Sequence, residues 1–588
     1  MTVAQGTWLR EASYVPGADG VELAAYVFRP SGGGAPCPVI WTHNLYNRPT
    51  KCGDNLRKWV ERFPEFASEM TELQEEAADA PELPDHLLEL VTHGYALAIV
   101  DVRGSGSSYG TREAPFSHDE SLDARHVTSW LASRPWCNGR VGMFGRSYMG
   151  ANQHTAAATR PPELRAILPE MAPFDVYSAV HSGGIFRHDF ARSWFDDVRR
   201  RDSDDPSTAV DADAGGARMA EARAGHRGNR DLYEMFSRLP FRDSVDEPTG
   251  SRPYLDNNPG YDRDGVRQPG VPTYHVAGWY DPFVRDSLLW FENVDCPKRI
   301  TIGPWAHSGS AGIDLAEVYR TWFDLWLREG DEAAPDPDDA PVRYYTIGAP
   351  PGERWRAAES WPPPGFDPVS FALAAGPSGS CASVNDGVLA EGDAADGGSD
   401  EYVVDYSTSS GSATRWTNTY GGPFGYPDMS ANDARALTYT TAPLAEDREL
   451  TGHPILRLLV EASADDLDVF AYLEQVSADG SSTYVTEGAL RASHRARHTA
   501  PYASPGLPYH GSIEADCEPL GGGPVELELD LFPTSWLFPR GSRIRLAIAG
   551  ADRDNALTPV LEPAPTVTLH RGPASRLVLP LSRASAGR

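Results

Sequence analysis

Residues 141–150 read VGMFGRSYMG, a short apolar run that ends in a glycine-flanked serine, Ser147. An apolar run bounded by glycine reads as a buried strand. The segment that follows, Tyr148 to Ala158, is rich in alanine and reads as a helix with small residues where it must approach a sheet. Strand, sharp turn and helix in that order form a nucleophile elbow, which lifts a serine hydroxyl above the sheet and sets it at a helix N-terminus that favours developing negative charge. A literal Gly-x-Ser-x-Gly search instead finds Gly106-Ser107-Ser108-Tyr109-Gly110, but loop residues follow it, Thr111 to Pro115, and no helix starts there. Ser147 is therefore the candidate nucleophile and Ser108 a decoy.

A serine hydroxyl needs a base to take its proton and a carboxylate to orient that base. In an α/β-hydrolase both follow the serine, acid before histidine, each beyond a strand. HVAGWYDPF places Asp281 just past one strand, and ITIGPWAHSG places His307 just past the next. Among the 16 histidines, His86 lies in an acidic insertion, His275 inside a strand, and His453, His494, His498, His510 and His570 in a β-rich region. His43 and His181 remain as substrate contacts, and Asp286 and Asp314 as alternative acids. An oxyanion needs aimed donors. The Tyr148 amide is one by the geometry of an elbow, and Tyr46, in the loop after the strand VIWTH, is the second.

The rest of the chain fits around these residues. At 588 residues it exceeds a single core, and three or four domains are expected from length. From Val21 to about Ala172, apolar runs alternate with helical stretches, the pattern of a mainly parallel sheet covered on both faces. The acidic segment Lys51 to Leu90 interrupts it, and a rim or lid and a solvated insertion both fit. From Phe174 to Asp264 the strand rhythm gives way to aromatic and charged residues at helical spacing, with a polar middle, Asp202 to Gly216, expected to be disordered. Strands resume before Asp281 and His307, a helix follows over AEVYRTWFDLWLREG, and Glu332 to Pro341 reads as a linker. Beyond it, short alternating strands such as DVFAYLEQV and RIRLAIAG, separated by Gly, Ser and Asp turns, predict an all-β sandwich. The expected division is 1–173 with 265–345 as catalytic α/β part, 174–264 as helical cap and 346–588 as sandwich.

Composition narrows the function. Asp plus Glu outnumber Lys plus Arg by 83 to 52, a formal net charge of −31 that repels nucleic acid and anionic membranes. The six cysteines show neither Cys-x-x-Cys pairs nor zinc-like spacing, so no metal is expected, and free thiols suit a reducing compartment. With no basic-apolar leader pattern in the first twenty residues and no long apolar run, a cytoplasmic protein is expected. The turn Gly104-Ser105-Gly106 lacks the immediate helix and distal acid of a dinucleotide site, so no organic cofactor is expected either. The helix around Trp322 and Trp326 reads as core, with a homo-oligomer interface as the alternative.

The chain resembles the serine hydrolases that include cocaine esterase, α-amino-acid ester hydrolases and X-Pro dipeptidyl peptidases. The resemblance runs through DVRGSGSSYG (101–110), WCNGRVGMFGRSYMG (136–150), AGWYD (277–281), GPWAH (303–307) and WLFPRGSRIRLAIAGAD (536–552). It implies an α/β-hydrolase domain with a helical cap and a C-terminal jelly roll, with Ser147 as nucleophile, Asp281 as acid, His307 as base, and Tyr46 with the Tyr148 amide as oxyanion hole. It also implies that the Asp-x-Arg-Gly loop is structural. One departure stands out: the family usually carries Arg-x-Pro-Tyr where this chain has His43-Asn44-Leu45-Tyr46. The expected reaction is acyl transfer from a small ester or amide to water, or to a small alcohol or amine, through an acyl-enzyme. X-Pro dipeptidyl peptidase and amino-acid ester or β-lactam acylase are the alternatives; a peptidase would need carboxylates for the substrate's α-amine, for which Asp189, Asp196 and Asp197 are available. A non-catalytic carbohydrate-binding protein and a nicotinamide-dependent oxidoreductase are the readings from other classes.

Overall fold

The computed structural model describes residues 3–5, 8–31, 35–47, 83–204, 207–261, 270–328, 340–392, 397–419 and 424–583. Most of the acidic segment expected as rim or lid, residues 51–82, lies outside them. Two large sheets carry the fold, one in each half of the chain.

The first sheet contains β1 (Val3–Gln5), β2 (Trp8–Pro16), β3 (Glu22–Pro30), β4 (Cys37–Asn44), β5 (Ala96–Asp101), β6 (Cys137–Arg146), β7 (Leu164–Glu170), β10 (Thr273–Gly278), β11 (Lys298–Gly303), β12 (Val342–Tyr345) and β13 (Trp355–Ala358), in the order β1-β2-β3-β5-β4-β6-β7-β10-β11-β12-β13. From β5 through β12 neighbouring strands run parallel, and the antiparallel pairs sit at the two edges. The centre is covered on both faces, so its strands are continuous apolar runs; every residue of β5, ALAIVD, is buried. Helices His118–Ala132 and Tyr148–Ala158 pack against β6. Leu315–Leu327 covers β7 with Trp322 and Phe323, which are buried as the helical spacing of its apolar residues predicts. This is the α/β-hydrolase architecture.

Between β7 and β10 lies a helical segment, with helices Val176–Val180, His188–Ser203, Ala217–Gly225 and Leu232–Ser237 and a small hairpin of β8 (His181–Ser182) and β9 (Ile185–Phe186). Its aromatic residues Trp194, Phe195 and Phe236 pack with Leu45, Phe116 and Tyr148 above the sheet. The polar stretch expected to be disordered is instead tied down at its described ends. Asp202, buried, pairs with Arg112, while Asp211 and Ala12 exchange hydrogen bonds of 2.8 and 2.9 Å. Its acidic residues thus act as anchors, which composition alone conceals.

The second sheet, from Phe366–Ala374 to Gly572–Ser582, wraps an all-β core that draws Leu373, Leu450, Leu473, Ile544 and Leu579 together. Its contact with this helical segment is close. The Gly183 carbonyl, at the tip of the β8–β9 hairpin, accepts from the Arg491 amide at 2.8 Å, and a Cβ on Gly183 would lie 2.0 Å from the Ala489 carbonyl oxygen.

The decoy loop after β5 is a structural knot. The Ser108 hydroxyl donates to the Asp101 carbonyl at 2.7 Å and accepts from the Ala24 amide at 2.9 Å, joining the loop to β3. Ser108 is fully buried and has no access to solvent. Ser108→Ala leaves a buried amide without its acceptor and should cost about 1–3 kcal/mol, read as a lower Tm. Labelling by a fluorophosphonate at permissive temperature should be unchanged; loss of labelling in a folded variant would make Ser108 more than structural.

Candidate active site

The site lies at the C-terminal ends of β4, β6, β10 and β11, where an open α/β sheet exposes its loops. Ser147 follows β6 with φ 61° and ψ −122°, in the left-handed half of the map where a non-glycine residue is strained. Its neighbours explain how the turn is held. A Cβ on Gly145 (φ +141°) would lie 2.7 Å from the Met149 Cβ, and one on Gly150 would lie 2.9 Å from both the Ala172 Cβ and the Glu170 carbonyl oxygen. The Ser147 amide donates to that same Glu170 carbonyl at 2.8 Å, and the Ser147 carbonyl accepts from Gly150 and Ala151, starting the helix.

His307 and Asp281 meet beside it. Asp281, in the turn after β10, is fully buried; one carboxylate oxygen accepts from the Phe283 amide at 2.7 Å, and the other hydrogen-bonds the Nδ1 of His307. With Nδ1 so engaged, Nε2 is left for chemistry in the cleft that His307 lines. Ser147, His307, Tyr46, Arg146, Met149, Asp197, Arg201, Ser308 and Thr419 together line this cleft, whose volume is about 420 Å³. The expected Ser147, His307 and Tyr46 thus share one cavity, with Asp281 behind the imidazole.

Tyr46 is held from both sides. Its amide donates to the Asn44 side chain at 3.1 Å, its carbonyl accepts from Arg201 at 2.7 Å, and it lines the same cleft as Ser147. Burial, and then the Asp197 carboxylate, raise its phenol above the ordinary value, so the hydroxyl keeps its proton as a donor. The Tyr148 amide opens the helix, and the Tyr148 ring is pinned by stacking on Phe116 at 4.3 Å and by donating to Glu120 at 2.8 Å. Glu120 also accepts from Asn152 at 2.8 Å.

Two ion pairs frame the cleft. Arg146 donates to Glu170 at 2.6 Å and to the His307 carbonyl at 2.9 Å, linking the residue before the serine to the histidine. Burial works to raise the Glu170 carboxyl, but Arg146 and Tyr319 more than offset it and hold it below the usual range. Asp197, similarly buried, is clamped by Arg200 at 2.5 Å and Arg201 at 2.8 Å, which lower its carboxyl on balance. The sequence reading missed Arg146, Glu170, Arg201 and Thr419 as site residues. The i, i+3 and i, i+4 spacings of Asp197 to Arg200 and Arg201 are the local signs of such a clamp.

The other candidates fall elsewhere. His43 is fully buried beside Trp41, where burial pushes its imidazole down to about 3. His181 lines a separate cavity with Arg242, Tyr502 and Tyr509. Asp314 caps the helix Leu315–Leu327, and Asp286 accepts from the Phe174 and Asp175 amides at 2.6 and 3.0 Å. Asp196 pairs with Arg192 and Arg199 on an exposed face, and Asp189 is not part of the cleft lining. Among the described residues no cluster of His, Cys, Asp and Glu could hold a metal ion, and no helix is long and apolar enough to cross a membrane.

Burial pushes the Glu120 carboxyl up to about 7 from 4.5, against the pull of Tyr148, Asn152 and Arg112. The unfolded chain releases this proton near 4.5 and the folded chain near 7, so stability drops as pH rises between those values. Replacing Glu120 with Gln should flatten this part of the Tm–pH curve relative to wild type. Parallel curves from pH 4.5 to 8 would show that Glu120 already ionises in the acid range.

Known proteins agree with this architecture. The model for the X-Pro dipeptidyl-peptidase (S15 family) matches residues 19–309, and that for the X-Pro dipeptidyl-peptidase C-terminal non-catalytic domain matches 337–573. A protein of Mycobacterium bovis named as a serine esterase is 33% identical over 97% of this chain and 94% of its own length. Cocaine esterase of a Rhodococcus species is 29% identical over 96% and 97%. The crystal structure of a CocE/NonD family hydrolase from Staphylococcus aureus superposes with a TM-score of 0.72 at 20% identity, covering 98% of this chain and 94% of that one. An α-amino-acid ester hydrolase superposes with a TM-score of 0.68 at 19% identity, covering 98% of each chain. These matches decide for a serine hydrolase over the carbohydrate-binding and nicotinamide readings. With its two-part domain order and its full-length serine-esterase relative, the chain belongs to the X-Pro dipeptidyl-peptidase (S15) family of serine hydrolases.

Proposed function

We propose that the protein is a carboxylic-ester hydrolase that works through Ser147, His307 and Asp281, with the Tyr46 hydroxyl and the Tyr148 amide as oxyanion hole. The observation that carries this reading is the His307–Asp281 hydrogen bond beside a cleft also lined by Ser147 on its strained turn. His307 Nε2 takes the Ser147 proton as the hydroxyl oxygen attacks the ester carbonyl carbon, and the buried Asp281 carboxylate stabilises the imidazolium. The carbonyl oxygen, now anionic, receives hydrogen bonds from Tyr46 and Tyr148. Collapse breaks the bond to the alcohol, which leaves with the proton from His307. Water then gives its proton to His307, attacks the acyl-enzyme and releases the acid, and Ser147 regains its proton. In this reading 1–173 with 265–345 is the catalytic part, 174–264 the cap and 346–588 the sandwich; the pairing of β13 with β12 favours a last boundary a few residues later.

An ester is favoured over a dipeptide because a free α-ammonium requires an available carboxylate. Among the described residues lining the cleft, Asp197 alone is a carboxylate, and both of its oxygens are taken by Arg200 and Arg201. An ammonium would have to share those oxygens with two guanidiniums whose charge already offsets the carboxylate. The X-Pro peptidase reading keeps the support of the family model and of a Streptomyces avermitilis relative named as an Xaa-Pro dipeptidyl-peptidase, 22% identical over 82% of this chain.

Wild type should hydrolyse p-nitrophenyl acetate and butyrate and gain a single fluorophosphonate adduct, and Ser147→Ala should do neither. Asp281→Asn should stay folded and lose roughly 10³–10⁴-fold in kcat. Alanyl-prolyl p-nitroanilide should be turned over at least a hundredfold less efficiently than the acetate ester, about 3 kcal/mol of discrimination. The reverse preference would install the peptidase reading.

A further inference from the structure

One turn of helix from the sandwich, Arg415–Asn418, reaches the loops that carry the acid and the base, and its side chains do two separate things there. Arg415 is fully buried. Its Nη1 donates to the Asp281 carbonyl at 3.2 Å, its Nη2 donates to the Tyr484 hydroxyl at 3.0 Å, and its guanidinium lies 4.2 Å from the centre of the Phe532 ring. The nearest carboxylate, Glu487, stands 3.9 Å from its Nε, and that oxygen also accepts from Trp416 at 2.7 Å. A buried cation so loosely paired costs stability, and well-packed apolar residues in such places often do as well or better. Stability alone therefore gives a poor account of an arginine here.

Asn418, three residues on, grips the other loop. Its side-chain oxygen accepts from the Ser308 amide at 3.2 Å, and its main-chain carbonyl accepts from the Ser308 hydroxyl at 2.9 Å. On the opposite side the His307 carbonyl is held by Arg146, so the main chain of the histidine is fixed from both domains. Between the two grips, Phe190 of the cap, Phe283 of the acid loop, and Trp416 and Phe532 of the sandwich pack into one cluster. The Phe283 amide orients the Asp281 carboxylate, and the Phe283 ring stands edge-on to His307 at 5.5 Å.

We propose that Arg415 and Asn418 are positioning residues for the acid and the base, so that the sandwich, the domain whose family description is non-catalytic, sets the alignment of the Asp281–His307 pair. The proposal rests on the assignment of Ser147, His307 and Asp281. Arg415 fixes the Asp281 main chain through its carbonyl. Asn418 acts through geometry alone, where a misplacement of about 1 Å can cost 10²-fold in rate.

The test compares the full-length chain with its Asn418→Ala, Arg415→Lys, Arg415→Met and Ser147→Ala variants, using kcat and KM for p-nitrophenyl acetate alongside Tm. Asn418→Ala should lose about tenfold or more in kcat with little change in KM. Arg415→Met, which removes the donor to the Asp281 carbonyl, should lose about tenfold or more in kcat with little change in KM. Arg415→Lys should lower kcat in the same way and to a smaller extent. If Asn418→Ala and Arg415→Lys match wild type in kcat while only Tm drops, the turn is merely a domain contact and the proposal fails; this pair decides even if Arg415→Met does not fold. Full turnover by Ser147→Ala would refute the catalytic assignment itself, independently of Arg415 and Asn418.

Discussion

A single residue in an unfavourable backbone conformation organises this molecule. Holding Ser147 at positive φ costs on the order of 1–3 kcal/mol, and the cost is met by neighbours that leave the chain no alternative. Gly145 lets β6 pass under Met149, Gly150 lets the helix press on Ala172, and the Glu170 carbonyl receives the serine amide. The same Glu170 extends its carboxylate to Arg146 and Tyr319, so the end of β7, the turn after β6 and the covering helix Leu315–Leu327 are fastened at one point. Relaxing the turn would mean unpacking all three.

Around this point the protein uses charge as fastening in a low-dielectric setting. Arg146 with Glu170, Asp197 with Arg200 and Arg201, and Arg112 with Asp202 are each buried in whole or part and each joins elements distant in the chain or steadies a wall of the cleft. Buried pairs of this kind add little net stability but break at high cost, which suits walls that must not drift. The overall acidity of the chain therefore says little about the cleft, where arginines outnumber carboxylates among the lining residues.

What could be read from the residues follows a physical division. Ser147, Asp281 and His307 each stand at the end of an apolar strand, and the order of such ends along the chain is local information; the structure brings them to one rim. The decoy Ser108 was separable for the same reason, since no helix follows it. Glu120, Arg415 and Asn418 carry no local sign. Their meaning arises when Tyr148, Asp281 and Ser308 arrive from elsewhere, and an asparagine in a β-rich stretch looks the same whether it faces water or a histidine loop. The stretch after Asp202 illustrates the converse: its composition resembles disorder, yet Arg112, Ala12 and Met219 each take one of its carboxylates.

The joining of the sandwich to the acid loop also bears on how the enzyme comes into being. Arg415 lies 134 residues beyond Asp281 in the chain. During synthesis Ser147, Asp281 and His307 all leave the ribosome well before that turn. Under the proposed assignment, a nascent or truncated chain ending before that turn has Ser147, Asp281 and His307 but lacks both the brace and Thr419 of the cleft wall, so competence would arrive with the last third of the polypeptide.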